Sequence, residues 1–519
     1  MTYLKRIGRL AVVALLLVYA CRERSDTVAP AEPVSVRFDT LMQVSAVTEF
    51  GAEAQSVLLG GPVGKRFQYG HVWATDKPEP TVDDPRTLQT ATGTVTYPLP
   101  IRSALTMLKP AQTYYVRPYV DEGGQVSYGP VRTFRTPGAS LSQFEFMARV
   151  LTDSLRPKNI GYAFAIYERG TLRASGAGGL RSRRLDIGGE RPFALDTRMH
   201  TASMSKTLTT VAFLRLAARQ GIRTSDRIAP YLPPGWKLGP NIDRLTFRDL
   251  LRHRSGIVGL GKSCENGAFA ENTYAGLKKL IEQGVQADKL GDYCYQNANF
   301  GLFRVLIPAL LGYSFTGTDA TDDLQTRQRY LTYVQQQVLE PAGVTGASAS
   351  QTPGDPTYTY EYPSLNLPGW NPGDFAGTVG GYGWYMSVEE AGKLYATVLT
   401  TADESVLTAA WKDTLRVNGL GYFGGRVVDG AIRYHDGWWY SKTGSGIYQG
   451  LRTIWLALPN DILMVLYVNA LHQTRGLFPS DDGRDIVPYL TRIYEQAWVF
   501  RGGRRPAGTT LQLDDPQPH

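Results

Sequence analysis

Two serines and a lysine stand between Thr201 and Thr210, at the start of a long apolar run. Residues three apart lie on one face of a helix, whereas adjacent residues diverge by about 100°. Ser203 and Lys206 can therefore meet, and Ser205 points elsewhere. A buried lysine loses its preference for the charged form, so its amine can take the serine proton. The same pair also fits an N-capping serine and a lysine stem lying along the surface.

The helix that carries this pair is predicted to run from Ser203 to Gly221. Its apolar positions leave little polar face: Leu208, Val211, Ala212, Leu214, Leu216 and Ala217. Such a pattern is typical of a buried helix. The polar groups are therefore concentrated in the first turn, at the positive end of the helix dipole.

Two further segments offer polar groups that suit a reaction site. Tyr295 and Asn297 place a phenol and an amide two residues apart. Lys442, Thr443 and Gly444 follow an extended segment and offer a cation, a hydroxyl and a residue without a side chain. A substrate can lie against a strand edge of that kind. Each segment is common when taken alone.

Together and in this order, the three segments resemble the Ser-x-x-Lys, Tyr-x-Asn and Lys-Thr-Gly motifs of the serine β-lactamase and penicillin-binding-protein superfamily. The separations are 92 residues from Ser203 to Tyr295 and 145 from Asn297 to Lys442. These values are similar to those of the class C β-lactamase and D,D-peptidase branch. The resemblance covers roughly residues 142–500, and two supporting segments share it: Leu245–Ile257 and Gly380–Glu390.

The resemblance implies a role for each residue. Ser203 would attack a carbonyl, and Lys206 and Tyr295 would share the proton, first as base and then as acid to the leaving group. Asn297 would orient Lys206 and the substrate amide. Lys442 would favour the phenolate of Tyr295 by Coulomb attraction.

The resemblance also implies how the substrate is bound. Thr443, beside Gly444, would hold a carboxylate or another polar group. The oxyanion hole would be the backbone N–H of Ser203 with that of Ser445, donors worth on the order of 3 kcal/mol each in the transition state. No class A type glutamate loop is evident, so Tyr295 and the lysine of the serine motif would also activate the water of deacylation.

The motifs do not identify the substrate, because the superfamily includes β-lactamases, D,D-carboxypeptidases, D-aminopeptidases and small-ester hydrolases. Many esterase-like relatives have histidine in place of the motif lysine, so Lys442 favours amides that carry a carboxylate. We predict a serine hydrolase that forms an acyl-enzyme with D-amino-acid peptides, β-lactams or related amides and esters. A small-ester hydrolase of the same fold and an inactive cell-envelope binding protein are the alternatives.

Other catalytic chemistries have little support in the sequence. The six histidines form no His-Glu-x-x-His or similar ligand pair, so no metal or other cofactor is expected. No Gly-x-Ser-x-Gly motif precedes a helix, which removes a Ser-His-Asp hydrolase from consideration. We expect His253 to be structural and to hold the turn after its helix.

The length of 519 residues predicts more than one domain. We expect an N-terminal all-β sandwich and then an α+β β-lactamase-like domain, with an antiparallel sheet flanked by helices plus an all-helical region. Leu108–Arg117 resembles the Leu-x-Pro…Tyr signature of a fibronectin type III domain. The predicted segments are a lipoprotein signal peptide (1–20), a linker (21–33), the sandwich (34–137), the hydrolase domain (138–501) and a loose tail (502–519).

Local patterns at both ends of the α+β domain predict how it begins and ends. Ser142 and Glu145 form a capping box that opens a helix. Apolar runs and turn residues predict two antiparallel hairpins and a final helix. The predicted elements are a helix to about Ser154, a strand over Ile160–Tyr167, a hairpin of Leu451–Leu458 with Ile462–Val468, and a helix over about Ile486–Val499.

The N-terminus has the pattern of an export signal. Lys5, Arg6 and Arg9 precede the apolar run Leu10–Tyr19, which is too short to span a bilayer. The four residues that end at Cys21 resemble a bacterial lipobox, although Cys21 can also be the end of an unlipidated signal. We expect an exported protein anchored by a lipid to a bacterial membrane, either periplasmic or at the cell surface.

The two remaining cysteines, Cys264 and Cys294, suit a disulfide in an exported chain, and two buried thiols are the alternative. Their spacing fits no zinc site. The net charge is +8, but no basic cluster is interleaved with stacking aromatics, so we expect no nucleic-acid partner. The expected partner is a small-molecule or peptide substrate, cell-wall peptide included, and the protein is expected to be a monomer.

Overall fold

The computed structural model describes residues 35–138, 141–261, 263–264, 269–501 and 511–513. The predicted signal peptide and linker, with Cys21, and most of the predicted tail lie outside these residues. The chain divides into two compact units. The first contains the residues up to Ser45, Glu53–Ser103 and Tyr114–Phe134, and the second contains Ala46–Ala52, Ala104–Thr113 and the chain from Arg135 onward.

The N-terminal strands form two antiparallel sheets. They are β1 (Arg37–Phe38), β2 (Gln43–Ser45), β3 (Ala52–Gly60), β4 (Phe67–Ala74), β5 (Gln89–Ala91), β6 (Leu99–Leu105), β7 (Thr113–Glu122), β8 (Gln125–Tyr128) and β9 (Arg132–Arg135). One sheet has the order β1-β3-β2 with β6 beside β3, and the other has the order β5-β4-β7-β8 with β9 beside β7. Leu58 and Ile101 of the first sheet share a buried cluster with Phe67 and Val120 of the second. The predicted all-β sandwich is confirmed.

A nine-stranded sheet organises the second unit. Its order is β11-β10-β20-β19-β18-β17-β22, with β15 beside β19 and β21. All of its strand pairs are antiparallel except β15 with β21. The remaining strands are β10 (Tyr162–Glu168), β11 (Thr171–Gly178), β12 (Leu180–Ser182), β13 (Arg191–Pro192), β14 (Met199–His200), β15 (Tyr360–Tyr362), β16 (Tyr385–Met386), β17 (Phe423–Val427), β18 (Gly430–Lys442), β19 (Tyr448–Leu458), β20 (Ile462–Val468), β21 (Ala470–His472) and β22 (Gln512–Leu513).

Helices flank this sheet and fill the segment between β14 and β17, so the predicted α+β class is confirmed. They are α1 (Gln143–Leu155), α2 (Ser205–Gln220), α3 (Phe247–Leu251), α4 (Tyr274–Gln283), α5 (Asn297–Gly301), α6 (Phe303–Leu310), α7 (Asp319–Val334), α8 (Val388–Leu399), α9 (Ala409–Asn418) and α10 (Ile486–Phe500). No helix in the described ranges is both long and apolar enough to cross a membrane.

The elements predicted at the ends of this unit are confirmed. Ser142 and Glu145 form the capping box of α1, which ends at Leu155. The hairpin β10/β11 follows, and β19 and β20 pair across the turn Pro459–Asp461 before the final helix α10. This unit has two hydrophobic cores between the sheet and the helices that pack on it. One core contains residues of α2 and α8, and the other contains residues of α1 and α10.

The helix predicted from Ser203 begins two residues later than expected. A 3₁₀ turn spans Ala202–Met204, and α2 starts at Ser205 and ends before Gly221, which has a φ of 69°. Ala202 has a positive φ of 47°, so the chain turns sharply before the helix can form. Ser203 therefore lies in the tight turn that leads into α2.

Strand β18 packs directly against this turn. A Cβ on Gly437 would lie 2.2 Å from Thr453 Oγ1 and 2.5 Å from the carbonyl oxygen of Thr201. The Thr453 hydroxyl donates to that same carbonyl at 2.8 Å, and the Tyr395 hydroxyl donates to the carbonyl of Met204 at 2.7 Å. Strands β18 and β19 and helix α8 thus fix the turn from three sides.

A methyl group at Gly437 should therefore destabilise the unit. We expect Gly437→Ala to lower the free energy of unfolding by about 1–3 kcal/mol, because an overpacked contact displaces backbone or side chains. Gly444→Ala is the matched control on the same hairpin, since a Cβ there meets nothing within 4 Å. Denaturant unfolding of the two variants measures the difference. Equal stability of both variants would contradict the close packing at Gly437.

Candidate active site

Ser203 is partly exposed in a segment that is otherwise buried. Its Oγ lies 2.9 Å from Nζ of Lys206, so the structure brings these two predicted residues together. The Ser205 hydroxyl instead lies 3.1 Å from Thr201 Oγ1 and 3.4 Å from the backbone nitrogen of Trp384, which donates to it. Ser203 is thus the serine placed to react.

Lys206 is fully buried and lies at hydrogen-bonding distance from three oxygens. Nζ is 2.9 Å from Ser203 Oγ, 2.6 Å from Asn297 Oδ1 and 2.8 Å from the carbonyl oxygen of Gly381. Burial holds the pKa of Lys206 well below its usual value, although Asp436 opposes that shift. A neutral amine donates its two hydrogens to the two carbonyl oxygens. Its lone pair then faces the Ser203 hydroxyl, which makes the amine a base.

Tyr295 approaches the serine from another segment. Its ring centroid is 4.7 Å from Nζ of Lys206, and its hydroxyl bonds to Ser203. Burial raises the pKa of Tyr295 well above its usual value, and the bond to Ser203 offsets part of that shift. The phenol therefore keeps its proton at neutral pH. This arrangement suits Lys206 to act as a base and Tyr295 to act as a proton donor.

His253 holds the segment that carries Tyr295. Its backbone carbonyl accepts from the N–H of Cys294 at 2.8 Å, and its Nδ1 accepts from the N–H of Gln296 at 3.1 Å. The rings of His253 and Tyr295 are 4.4 Å apart between centroids. A disulfide joins Cys294 to Cys264, with their Cα atoms 5.6 Å apart. These contacts fix the position of the phenol.

The Lys-Thr-Gly segment lies elsewhere, which is a correction to the predicted site. Strand β18 touches the serine turn at Gly437, and its pairing with β19 continues without a break to Lys442. Five residues of a regular strand span roughly 17 Å. Lys442 is exposed, and its Nζ lies 4.4 Å from the ring centroid of Tyr448.

Thr443, Gly444 and Ser445 follow Lys442 in the hairpin loop. The Thr443 and Ser445 hydroxyls bond to each other at 2.9 Å, and the N–H of Gly446 donates to the carbonyl of Thr443 at 2.9 Å. The loop is therefore closed on itself at the exposed end of the hairpin. These residues follow Lys442 on the chain, further along the hairpin than the contact of Gly437 with the serine turn.

His435, Asp436 and Gly437 occupy the strand position that the resemblance gives to Lys-Thr-Gly. Asp436 is close enough to act on the pKa values of both Lys206 and Tyr295. The pairing of β18 with β17 ends at Tyr434. Next to Gly437, the backbone of β18 can supply an N–H beside the serine turn. Sequence reasoning missed this segment, and the signal for it is a histidine two residues before a glycine on the same strand.

No group of three or more His, Cys, Asp or Glu side chains within the described ranges is placed to hold a metal ion. The groups that can move protons are the amine of Lys206 and the phenol of Tyr295. The arrangement can transfer an acyl group to a serine with these two groups alone.

The sequence pattern of the Beta-lactamase family matches residues 146–478. A protein of Bacillus subtilis (strain 168) classed as the penicillin-binding protein PbpX is 27% identical over 156 residues, 30% of this chain. That match spans only 34% of the length of the relative.

Solved structures also match this chain. FmtA of Staphylococcus aureus matches 71% of this chain and 90% of its own, with a TM-score of 0.50 and 15% identity. A D-stereospecific amidohydrolase of Streptomyces sp. matches 63% of this chain and 94% of its own, with a TM-score of 0.46 and 18% identity. At this identity the likeness to FmtA concerns the fold alone.

The pKa shifts predict how the reactivity of Ser203 depends on pH. Only the uncharged amine of Lys206 accepts the serine proton, so the reaction should slow as pH falls through its lowered pKa. The rate should therefore rise with pH and level off below 10.5, the usual pKa of lysine. The rate of labelling by a fluorophosphonate, measured from pH 5 to 10, tests this.

Lys206→Met and Tyr295→Phe are the companion variants for the pH experiment. Lys206→Met should label slowly and lose the rise with pH. Tyr295→Phe should keep the rise, because the phenol does not act as the base. If Tyr295→Phe removed the rise and Lys206→Met kept it, the roles of the two residues would be reversed.

Proposed function

Because the chain belongs to the beta-lactamase family, we propose that it is a serine hydrolase that forms an acyl-enzyme at Ser203. The substrates are esters or amides. One observation carries the proposal: a buried amine, held neutral, lies 2.9 Å from the hydroxyl of Ser203. A nucleophile beside its base is the arrangement that acyl transfer requires.

The reaction follows from these positions. As the oxygen of Ser203 bonds to the carbonyl carbon, its proton passes to Lys206. The bond to the leaving atom breaks as Tyr295 gives that atom a proton. The proton on Lys206 then passes to the phenolate of Tyr295 and restores the neutral phenol. Hydrolysis of the acyl-enzyme then follows the same course with water as the nucleophile. Water gives a proton to Lys206 as its oxygen bonds to the acyl carbon, and the oxygen of Ser203 regains a proton as it leaves that carbon.

The developing oxyanion needs two donors in this scheme. We assign one to the backbone N–H of Ser203, as the resemblance to the family implies. The exposed position of Ser445 favours a different second donor, a backbone N–H of β18 next to Gly437, which packs on the serine turn. Removal of one such donor costs on the order of 3 kcal/mol of transition-state stabilisation.

A small-ester hydrolase is the second candidate function, and His435 favours it. The resemblance links histidine at this strand position with esterase-like members. Lys442 favoured amides that carry a carboxylate, but it lies over Tyr448 at the far end of the strand. The hydrogen-bonded pair of Ser203 and Lys206 supports an enzyme rather than an inactive cell-envelope binding protein.

We also propose export, lipid attachment at Cys21 and a location facing the periplasm or the cell surface. The basic, apolar and cysteine residues of the first 21 positions support this. We propose as well that the protein is a monomer that binds a small-molecule or peptide substrate and no nucleic acid.

Labelling with a fluorophosphonate and with a fluorescent penicillin tests the enzyme proposal. Ser203→Ala should abolish labelling, because it removes the attacking oxygen, whereas Ser205→Ala should keep most of it. Lys442→Ala should label within about twofold of the unchanged protein, since the expected loss is smaller than one hydrogen bond. Labelling that survives Ser203→Ala would overturn the assignment.

A substrate panel then separates the two candidate functions. The panel contains a cephalosporin, a D-Ala-D-Ala peptide and a short-chain ester, each assayed with the full chain and with Ser203→Ala. Turnover of the ester alone supports the small-ester hydrolase. Turnover of the peptide or the cephalosporin supports the amidase function. If no substrate and no label reacts under conditions where a known relative does, the binding role is supported instead.

A further inference from the structure

The loop between β12 and β13 exposes two large aliphatic side chains to water. Leu185 is 57% exposed and Ile187 is 87% exposed, whereas Asp186 between them is buried. Among the large hydrophobic side chains that the structure describes, Ile187 is the most exposed. Contact with water is unfavourable for an aliphatic side chain, and exposed apolar clusters mark surfaces that bind proteins or membranes.

Hydrogen bonds to Asp186 fix the shape of this loop. Its carboxylate accepts from the N–H of Arg183 and from the N–H of Gly369, each at 2.6 Å, and also from the hydroxyl of Tyr360. The loop is therefore attached to the rest of the unit through a buried side chain at its centre. The aliphatic side chains on either side of Asp186 cannot turn inward together unless these bonds break.

A neighbouring loop adds a third exposed aliphatic side chain, that of Leu365, which is 47% exposed. Nη1 of Arg183 donates to the hydroxyl of Ser364 at 3.0 Å. The N–H of Leu365 donates to Oε1 of the buried Glu361 at 2.8 Å, and that carboxylate also pairs with Arg183 at 3.5 Å. The two loops are thus joined to each other, and a buried carboxylate fixes each of them.

The composition of the two loops favours a lipid surface over a protein partner. The three exposed apolar side chains are all aliphatic, whereas Trp, Tyr and Arg dominate the binding energy of protein interfaces. Three side chains also cover only a small part of the roughly 800 Å² that each partner buries in a standard protein interface. Aliphatic side chains can enter the boundary between headgroups and acyl chains without a complementary pocket.

The exposed charges of the loop are placed to suit the same partner. Arg184 is exposed next to the aliphatic pair, where its guanidinium group can reach lipid phosphates while its stem lies along apolar surface. Glu190, the exposed carboxylate of this loop, lies at its other end, beside β13. The cation is therefore nearer than the carboxylate, along the chain, to the side chains that would enter the membrane.

We propose that Leu185, Ile187 and Leu365 insert into the surface of a phospholipid membrane, with Arg184 at the level of the phosphates. This contact goes beyond the hydrolase function, because it would hold the catalytic unit in one orientation at the membrane. A lipid at Cys21 would keep the chain close to that membrane, so loops of low intrinsic affinity are sufficient.

Binding of the chain without residues 1–21 to vesicles tests the proposal. This chain has neither signal nor lipid and contains every residue that the structure describes. The vesicles consist of phosphatidylethanolamine and phosphatidylglycerol, and co-sedimentation gives the lipid concentration at half-binding. In Leu185→Ser/Ile187→Ser this concentration should rise by at least about tenfold, because two aliphatic side chains no longer enter the membrane.

Val417→Ser is the matched control, because Val417 is 85% exposed and lies on α9, away from both loops along the chain. It should bind the vesicles as the unchanged protein does. All of these variants should unfold at the same denaturant concentration, since the changed side chains are exposed. Equal vesicle binding by Leu185→Ser/Ile187→Ser and the unchanged protein would overturn the proposal, whichever substrates are hydrolysed.

A fluorescent NBD label identifies what covers the loop. In the chain without residues 1–21, Ile187→Cys and Val417→Cys each introduce one free thiol, because Cys264 and Cys294 are bridged. Vesicles should shift the emission of the label at position 187 to shorter wavelength and leave that at position 417 unchanged. An equal shift at both positions would contradict insertion of the loop. A shift at position 187 that grows with protein concentration in the absence of vesicles would show that a second copy covers the loop, and would overturn the membrane assignment.

Discussion

An amine kept out of water is the constraint on which this site depends. Exposed to water, Lys206 would carry a charge and could not take a proton from Ser203. Each pKa unit by which burial lowers its pKa corresponds to about 1.4 kcal/mol of preference for the neutral form. That preference exists only while the first part of α2 stays buried, and every residue from Ser205 to Leu214 is buried. The reactivity of Ser203 therefore depends on the burial of Lys206 in the core.

A buried helix with many hydroxyl groups needs partners for them, and these partners shape the site. Thr209 Oγ1 donates to the carbonyl of Gly380 at 2.6 Å, and Lys206 Nζ reaches the next carbonyl, that of Gly381, at 2.8 Å. Thr207 Oγ1 donates to the carbonyl of Gly421 at 2.6 Å. The helix thus ties two distant loops to itself. The acceptor that orients the amine is a backbone atom supplied by one of those loops.

Features of the site that depend on residues close together in the sequence could be predicted. The position at which a long strand contacts another element could not be predicted. The pair of Ser203 and Lys206 follows from helix geometry over three residues, and the capping box at Ser142 is equally local. The hairpin of β19 and β20 follows from its turn residues. Which residue of a long strand faces the serine depends on its contact with another element. The Lys-Thr-Gly prediction placed Lys442 at the site, whereas the contact with the turn falls at Gly437, five residues earlier. A carbonyl such as that of Gly381 has no signal in the sequence.

The pair of Asp436 and Arg452 explains how a carboxylate can lie near a base that must stay uncharged. Asp436 favours the ammonium form of Lys206 and the neutral form of Tyr295. Arg452, fully buried, bonds to Asp436 at 2.9 Å and to Asp485 at 2.6 Å. Its charge acts on the pKa of Tyr295 in the direction opposite to that of Asp436. The carboxylate can then stabilise the ammonium that forms on Lys206 as Ser203 attacks, without holding the resting amine in its charged form. Burial therefore keeps Lys206 uncharged before the reaction, and Asp436 favours the ammonium form that the reaction creates.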